Sequence, residues 1–245
     1  MRRWVRYLLT AAVLILLWEL VALVLQNEAL PEPWRVVIQF FALLAADLPM
    51  HFGVSVYWVA AAVVFAVAAG LPLGLLMGRL PKADAYMAPA VYLTYPIPKI
   101  VLLPIILLFL GLGDASKIAV IALILFFQIL VTIRDAVRGI DEEYFLSVRS
   151  LNAGGWDVLR HVVLPATLAE LLTALRISVG TSVAVLFFVE TIGARRGLGY
   201  FIQDAWARVN YQEMYAGILA MSLLGVVLYE VLEQAEKRAC RWKRV

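Results

Sequence analysis

The stretch LPMHFGVSVYWVAAAVVFAVAAGLPLGLLMG, Leu48 to Gly78, runs without a single Asp, Glu, Lys or Arg. It is longer than the roughly 20 residues that cross a bilayer. A run of that length and composition cannot easily be the core helix of a water-soluble domain. The rest of the chain agrees: its 245 residues are 64% hydrophobic and 16% charged, where an ordinary soluble domain carries about 25% charged residues.

Working outward from that stretch, apolar runs separated by charged or Gly/Pro-containing segments give six expected spans. They are Tyr7 to Leu25, Val54 to Gly78, Tyr86 to Leu110, Lys117 to Ile133, Pro165 to Glu190 and Met214 to Leu232. The expected fold class is therefore an all-α integral membrane protein of six transmembrane helices. Its parts are an N-terminal transmembrane helix over 1–30, an interfacial segment over 31–53, a five-helix core over 54–236 containing a cytoplasmic loop at 134–164, and a basic tail over 237–245. In the interfacial segment Trp34, Val37, Ile38, Phe41 and Leu44 recur at helical spacing, which predicts a helix lying on the membrane. The first apolar run follows Arg2, Arg3 and Arg6 but is too long for a secretory signal and lacks a small-residue cleavage site, so it reads as a retained helix.

Cytoplasmic loops carry the excess of Lys and Arg. Placing the N-terminus inside puts 14 of the 21 Lys and Arg on the cytoplasmic side. Five fall outside (Arg35, Lys117, Arg195, Arg196 and Arg208), and Lys99 and Arg176 lie within spans. Both termini are thus expected in the cytoplasm of a multi-pass protein. The 134–164 loop then lies inside and is long enough to need structure of its own. Tyr144, Phe145, Val148 and Leu151 share one helical face. Trp156, Leu159 and Val163 form a second stripe after the break at Asn152, Ala153, Gly154 and Gly155. Two short helices joined by a turn are expected, either resting on the protein's own inner face or docking a cytoplasmic partner.

Function classes narrow quickly. Cys240 is the single cysteine, which excludes an internal disulfide, and the only histidines are His51 and His161, so neither a metal cluster nor a catalytic constellation is expected. No Gly-x4-Gly-Lys-Ser/Thr phosphate loop occurs. The basic residues sit at helix ends rather than in a patch, which points away from nucleic acid.

At the 134–164 loop the stretch LSVRSLNAGGWDVLRHVVLP, Leu146 to Pro165, resembles the signature of binding-protein-dependent ABC transporter permeases. In that register Leu146 stands at the family's Glu, Ser147 and Val148 at its two Ala positions, and Asn152 at its Gly. Asn tolerates the left-handed turn conformation better than any residue but Gly, so the turn is expected to survive. YPIPKIVLLPIILLFLGLGDASKIAVIAL from Tyr95, GLPLGLLMG from Gly70 and GARRGLGYFI from Gly193 are similar to the nitrate, sulfonate and taurine permeases.

The resemblance implies a type I ABC importer permease of MetI-like architecture in the bacterial cytoplasmic membrane. It also implies a second permease copy, an ATPase dimer below and a periplasmic or lipid-anchored solute-binding protein above. Such a chain is not an enzyme and binds no cofactor of its own; ATP and Mg belong to the partner ATPase. The solute would be a small anion such as nitrate, a sulfonate or taurine. ATPase coupling would fall to Tyr144, Phe145, Val148, Leu151, Asn152, Ala153, Gly154, Gly155, Trp156 and Leu159. The alternative function is a self-contained secondary transporter or channel.

Candidates for the translocation path are Pro96, Pro98, Lys99, Arg176 and Glu190. Prolines 89, 96, 98 and 104 each remove a backbone donor from the third expected span, and such breaks survive at membrane depth only against protein or a water-filled cavity. Lys99 then either faces the pore and attracts an anion or pairs with an acidic neighbour or a carbonyl. Arg176 and Glu190, about 21 Å apart along one helix, cannot pair with each other and are expected to pair across helices. The glycine- and aromatic-rich segment Thr191 to Glu213 reads as a gate-like turn or as an interfacial anchor.

Overall fold

The computed structural model describes residues 3–240, with the side chains of Arg3, Trp4 and Arg6 to Leu8 excepted. Arg2 and the tail residues Arg241, Lys243 and Arg244 lie outside the described residues. Among the described residues the chain is helical throughout, without a strand. The helices are α1 (Arg3–Leu25), α2 (Pro33–Leu44), α3 (Leu48–Arg79), α4 (Pro81–Thr94), α5 (Leu103–Leu110), α6 (Asp114–Arg138), α7 (Glu142–Ser150), α8 (Gly155–Val158), α9 (Leu164–Thr191), α10 (Leu198–Ala207) and α11 (Tyr211–Ala239).

Four helical stretches are long and apolar enough to cross a membrane: Leu48–Arg79, Asp114–Arg138, Gly155–Thr191 and Tyr211–Ala239. The third expected span, Tyr86 to Leu110, is not one helix. It is α4 followed by the turn Lys99–Leu102 and α5, bent by 83°, because two prolines two residues apart cannot both sit in a continuous hydrogen-bond ladder. The apolar part of α1, Leu9–Leu25, is shorter than the four long spans. In α2, Pro33 occupies the first turn, where its missing N–H costs nothing, and Val36 is buried while Trp34, Val37, Ile38 and Phe41 are exposed.

The chain forms two compact units. One comprises Met1–Ser55 and Glu190–Leu223, the other Val56–Val189 and Leu224–Val245. In the second unit α3 and α6 make a backbone-close contact that glycines permit. A Cβ at Gly74 would lie 2.8 Å from Ile133 Cβ and 2.8 Å from the Leu130 carbonyl, and Gly70 and Gly78 meet Ile129 and Val137 one turn away on either side. Small residues at four-residue spacing let membrane helices approach closely, where apolar lipid offers no competing hydrophobic drive. Met77, Ala88, Val91 and Leu130 fill the adjoining core, with Leu73 and Phe126 packed against it.

Between α8 and α9 the residues Leu159–Val163 form one π-helical turn. Pro165, just beyond, has no N–H for the usual four-residue bond, and a π turn absorbs that loss without ending the helix. The expected loop at 134–164 is accordingly shorter than its bounds. Arg134 belongs to α6, and from Gly155 onward the chain is already helical into α9. At the other end, α11 continues to Ala239, so the expected basic tail begins inside a helix.

Candidate translocation path and coupling segment

The bend between α4 and α5 is built from Tyr95, Pro96, Ile97 and Pro98. Without N–H groups on Pro96 and Pro98, carbonyls at the end of α4 lose their helical donors. Lys99 replaces them. Its Nζ donates to the carbonyls of Thr94 at 2.5 Å, Tyr95 at 2.8 Å and Ile97 at 2.9 Å, and it sits 4.5 Å from the centroid of the Phe127 ring. Of the two roles open from sequence, the geometry shows the carbonyl partner. All three ammonium protons are committed, although the residue, only 9% exposed, also lines a cavity of about 280 Å³ with Tyr95, Ile97, Ile124, Phe127, Gln128, Thr181 and Val185. Pro96 and Pro98 shape the bend but do not line this cavity. Lys117 repeats the device: its ammonium donates to the carbonyls of Leu112 at 2.6 Å and Gly113 at 3.2 Å. It is buried in the first turn of α6, where the fourth expected span begins.

Arg176 and Glu190 are not brought together, in keeping with their spacing. Arg176 Nη1 lies 3.2 Å from Glu236 Oε2 on α11, and its guanidinium faces the Tyr229 ring. Neither Arg176 nor Glu190 lines the cavity at Lys99.

Glu190, 0% exposed, organises the first unit. It accepts hydrogen bonds from Ser55 Oγ at 2.6 Å and from the Gly199 N–H at 2.5 Å, while Ser55 Oγ accepts from the Leu198 N–H at 2.9 Å. One turn before Ser55, His51 Nδ1 lies 3.1 Å from the backbone of Gly197 and its ring packs on Tyr200 and Phe201. Gly197 is at φ 105, a conformation that favours glycine. The Thr191 to Glu213 segment thus contains a helix, α10, whose first residues are tied to the start of α3. Of its aromatics Tyr200, Phe201, Trp206 and Tyr211, only Trp206 is strongly exposed.

One polar cluster escaped the sequence reading. Arg134 on α6 binds Asp84 on α4 through both carboxylate oxygens, Nε to Oδ1 at 2.5 Å and Nη2 to Oδ2 at 3.0 Å, and donates to the Tyr92 hydroxyl at 3.0 Å. Arg138 Nη2 adds a contact of 2.5 Å to Asp84 Oδ2. A two-pronged guanidinium–carboxylate pair fixes angle as well as distance, so the first turn of α4 is clamped to α6, and the Tyr92 hydroxyl adds a contact near the bend. The partners are 50 residues apart in sequence. Asp84 lies just before the third expected span and two residues from Lys82, so nothing local pointed to Arg134 as its partner.

The coupling candidates form one continuous structure, α7, a turn and α8. Asn152 is at φ 60, the left-handed conformation expected at the position where the family carries glycine. The Asp157 carboxylate accepts the Gly154 N–H at 3.0 Å and closes the start of α8. Phe145, Val148, Ala153 and Leu159 are half-buried, and Tyr144, Asn152, Gly154 and Gly155 are exposed. Leu151 and Trp156 stand 82% and 68% exposed. Large apolar side chains at the tip of a hairpin do not rest on this chain's own surface.

A family model described as the inner membrane component of binding-protein-dependent transport systems matches residues 70–239. The chain belongs to this family. It is an ABC importer permease, which works with a solute-binding protein while a separate subunit hydrolyses ATP. The alternative of a self-powered secondary transporter is thereby set aside. The permease is 30% identical over 241 residues to the taurine transport system permease TauC of Escherichia coli K12, covering 95% of this chain and 88% of that one. It is 28% identical over 243 residues to the aliphatic sulfonates transport permease SsuC of Bacillus subtilis 168, covering 98% and 88%. Among solved structures, a chain of the inward-facing MetNI methionine ABC transporter superposes with a TM-score of 0.61 at 19% identity, covering 81% of this permease and 96% of that chain. That likeness establishes the MetI-like fold.

Proposed function

We propose that two copies of this permease enclose a path for a small organic anion of the sulfonate class, with both termini in the cytoplasm and α7 to α8 seated on the ATPase. The observation that carries the coupling assignment is the exposed tip, Leu151 and Trp156, on a hairpin whose turn is fixed by the left-handed Asn152. Closure of an ATPase dimer has to be conveyed mechanically, and a short helix pair with a rigid turn transmits displacement better than a flexible loop. Trp156 is the natural anchor because buried aromatics dominate interface energetics. Tyr144, Phe145, Val148 and Leu159 flank it, and Ala153, Gly154 and Gly155 allow close backbone approach.

On the same reading, Lys99 and the bend at Pro96 and Pro98 shape the path, with Arg176 and Glu190 bracing the helices around it. ATP and Mg²⁺ stay on the partner. The exposed stripe Trp34, Val37, Ile38 and Phe41 lays α2 in the outer interface of the membrane. The sulfonate class is favoured by the two relatives and by the buried cation at the cavity.

The test is co-purification of the ATPase with permease variants. Trp156→Ala should weaken association by about 2 kcal/mol, and Gly154→Trp should block docking, with both variants still inserted in the membrane. Wild-type association and transport in both would make the hairpin an internal brace and remove the coupling assignment.

A further inference from the structure

Hydroxyl side chains inside a membrane helix turn back on their own backbone, because an unpaired hydroxyl in apolar surroundings is costly. Thr167, Thr173, Ser178 and Ser182 on α9 follow that rule, each donating to the carbonyl four residues earlier at 2.7 to 3.0 Å. Thr181 departs from it: its hydroxyl has no hydrogen-bond partner among the described residues. The residue sits about 15 Å before the end of the helix at Thr191, half the depth of a hydrocarbon core of roughly 30 Å. It is exposed and lines the cavity of about 280 Å³ at Lys99. Beside it a Cβ on Gly180 would meet nothing within 4 Å, and Ile177, Ala184 and Phe188 on the same face are exposed as well. Thr181 therefore opens on unfilled space at mid-membrane.

Taking the Lys99 bend as part of the translocation path, a reading on which this depends, we infer that Thr181 is a solute-contacting residue of that path, its hydroxyl donating to an anionic oxygen of the passing cargo while the Lys99 ammonium supplies the attracting charge. The two groups divide the work because of where their protons go. Lys99 spends its three on the carbonyls of Thr94, Tyr95 and Ile97, so it draws an anion by its field and gives it no hydrogen bond. Thr181 has a proton to give, and no carbonyl of α9 has to release it first. A single hydroxyl rotates to suit its partner and bonds one oxygen at a time, which keeps the contact weak enough to let go of what it admits, as a conducting site must. In the dimer each copy supplies one such hydroxyl.

The experiment uses the complete transporter in proteoliposomes with its solute-binding protein. In a Cys240→Ser background, which removes the single cysteine, Thr181→Cys is treated with membrane-impermeant methanethiosulfonate reagents bearing either a sulfonate or a quaternary ammonium. Leu16→Cys, at an exposed position of α1, is the lipid-facing control. Thr181→Cys is expected to react from water, faster with the anionic reagent, and Leu16→Cys to stay unmodified. Uptake of nitrate, ethanesulfonate and 2-aminoethanesulfonate is then compared in Thr181→Val, which loses the hydroxyl, and Thr181→Ser, which keeps it. Thr181→Val is expected to slow the best-carried anion about tenfold, the worth of a modest charge-assisted hydrogen bond, with dimer recovery and thermal unfolding unchanged, and Thr181→Ser to stay near wild type. If Thr181→Cys reacts no faster than Leu16→Cys, the path reading fails and the Thr181 role with it. If Thr181→Cys reacts but Thr181→Val transports at the wild-type rate, the contact is overturned and the path stands. Slower uptake by Thr181→Val together with a less stable dimer would make the hydroxyl a brace between copies and overturn the contact too. A faster reaction with the cationic reagent, or a wild-type transporter that carries none of the three anions, overturns the assigned charge.

Discussion

Two helix breaks in this permease meet the same polar demand by different means. At Tyr95 to Pro98 the chain turns by 83° between two apolar helices, and the backbone groups freed by the prolines are gathered by a lysine drawn from the next turn. At Leu151 to Gly154 the chain also turns between two helices, but its polar needs are met locally by Asp157 and by the left-handed Asn152, and it is the apolar side chains that are left outside. The first break is held by the buried Lys99 ammonium, 4.5 Å from the Phe127 ring, while Tyr95, Ile97 and both prolines stay exposed. The second break has no such internal anchor, and its Leu151 and Trp156 are more exposed, at 82% and 68%, than Tyr95 and Ile97, at 47% each.

The strongest way to break the first arrangement is to remove the clamp that aims α4 at it. Arg134→Met leaves the buried Asp84 carboxylate with Arg138 as its remaining cation, and should destabilise the permease by about 3 kcal/mol or more. Asp84→Asn combined with Arg134→Met should recover part of that loss, read from detergent-extracted thermal unfolding of both variants.

Next in size is Lys99→Met. It fits the apolar space but strips three carbonyls of their donor, at an expected cost of about 2–3 kcal/mol; thermal stability and uptake should fall together. A variant with wild-type stability and selectively lost uptake would show that the ammonium serves the solute more than the bend.

The smallest effect belongs to the exposed break. Asn152→Val forces a β-branched residue into the left-handed region and should cost about 1–2 kcal/mol locally, seen as weaker ATPase association with little change in unfolding temperature, whereas Asn152→Gly should be neutral. Equal behaviour of the two variants would separate the turn's conformation from docking.

Several parts of this arrangement are legible in the amino-acid order. The Asn152 turn follows from a local conformational preference, and the two-helix form of the hairpin follows from apolar spacing interrupted by Ala153 to Gly155. The charge-free run from Leu48 fixes a spanning helix because no other fold satisfies its backbone in lipid. The prolines mark a break near residue 97. They do not fix its angle, which depends on which side chain reaches the freed carbonyls, so a break in the third span is expected from the sequence and its 83° bend is not. Lys117 illustrates the same limit: its place at the start of the fourth expected span names no partner, and only the fold sets it over Trp58.

The sequence by itself determined the membrane class, the helical periodicities, the signature hairpin and the absence of any catalytic motif, since each rests on residue type and spacing within a few turns. Only the tertiary structure decided that Asp84 meets Arg134 across 50 residues, that Gly74 lets α6 lie against α3, that Glu190 ties down Gly199, and that the Lys99 ammonium spends its protons on carbonyls. Those outcomes depend on which groups meet after the chain has folded. A buried polar group announces that it needs a partner, but nothing in its local sequence names which one it will find.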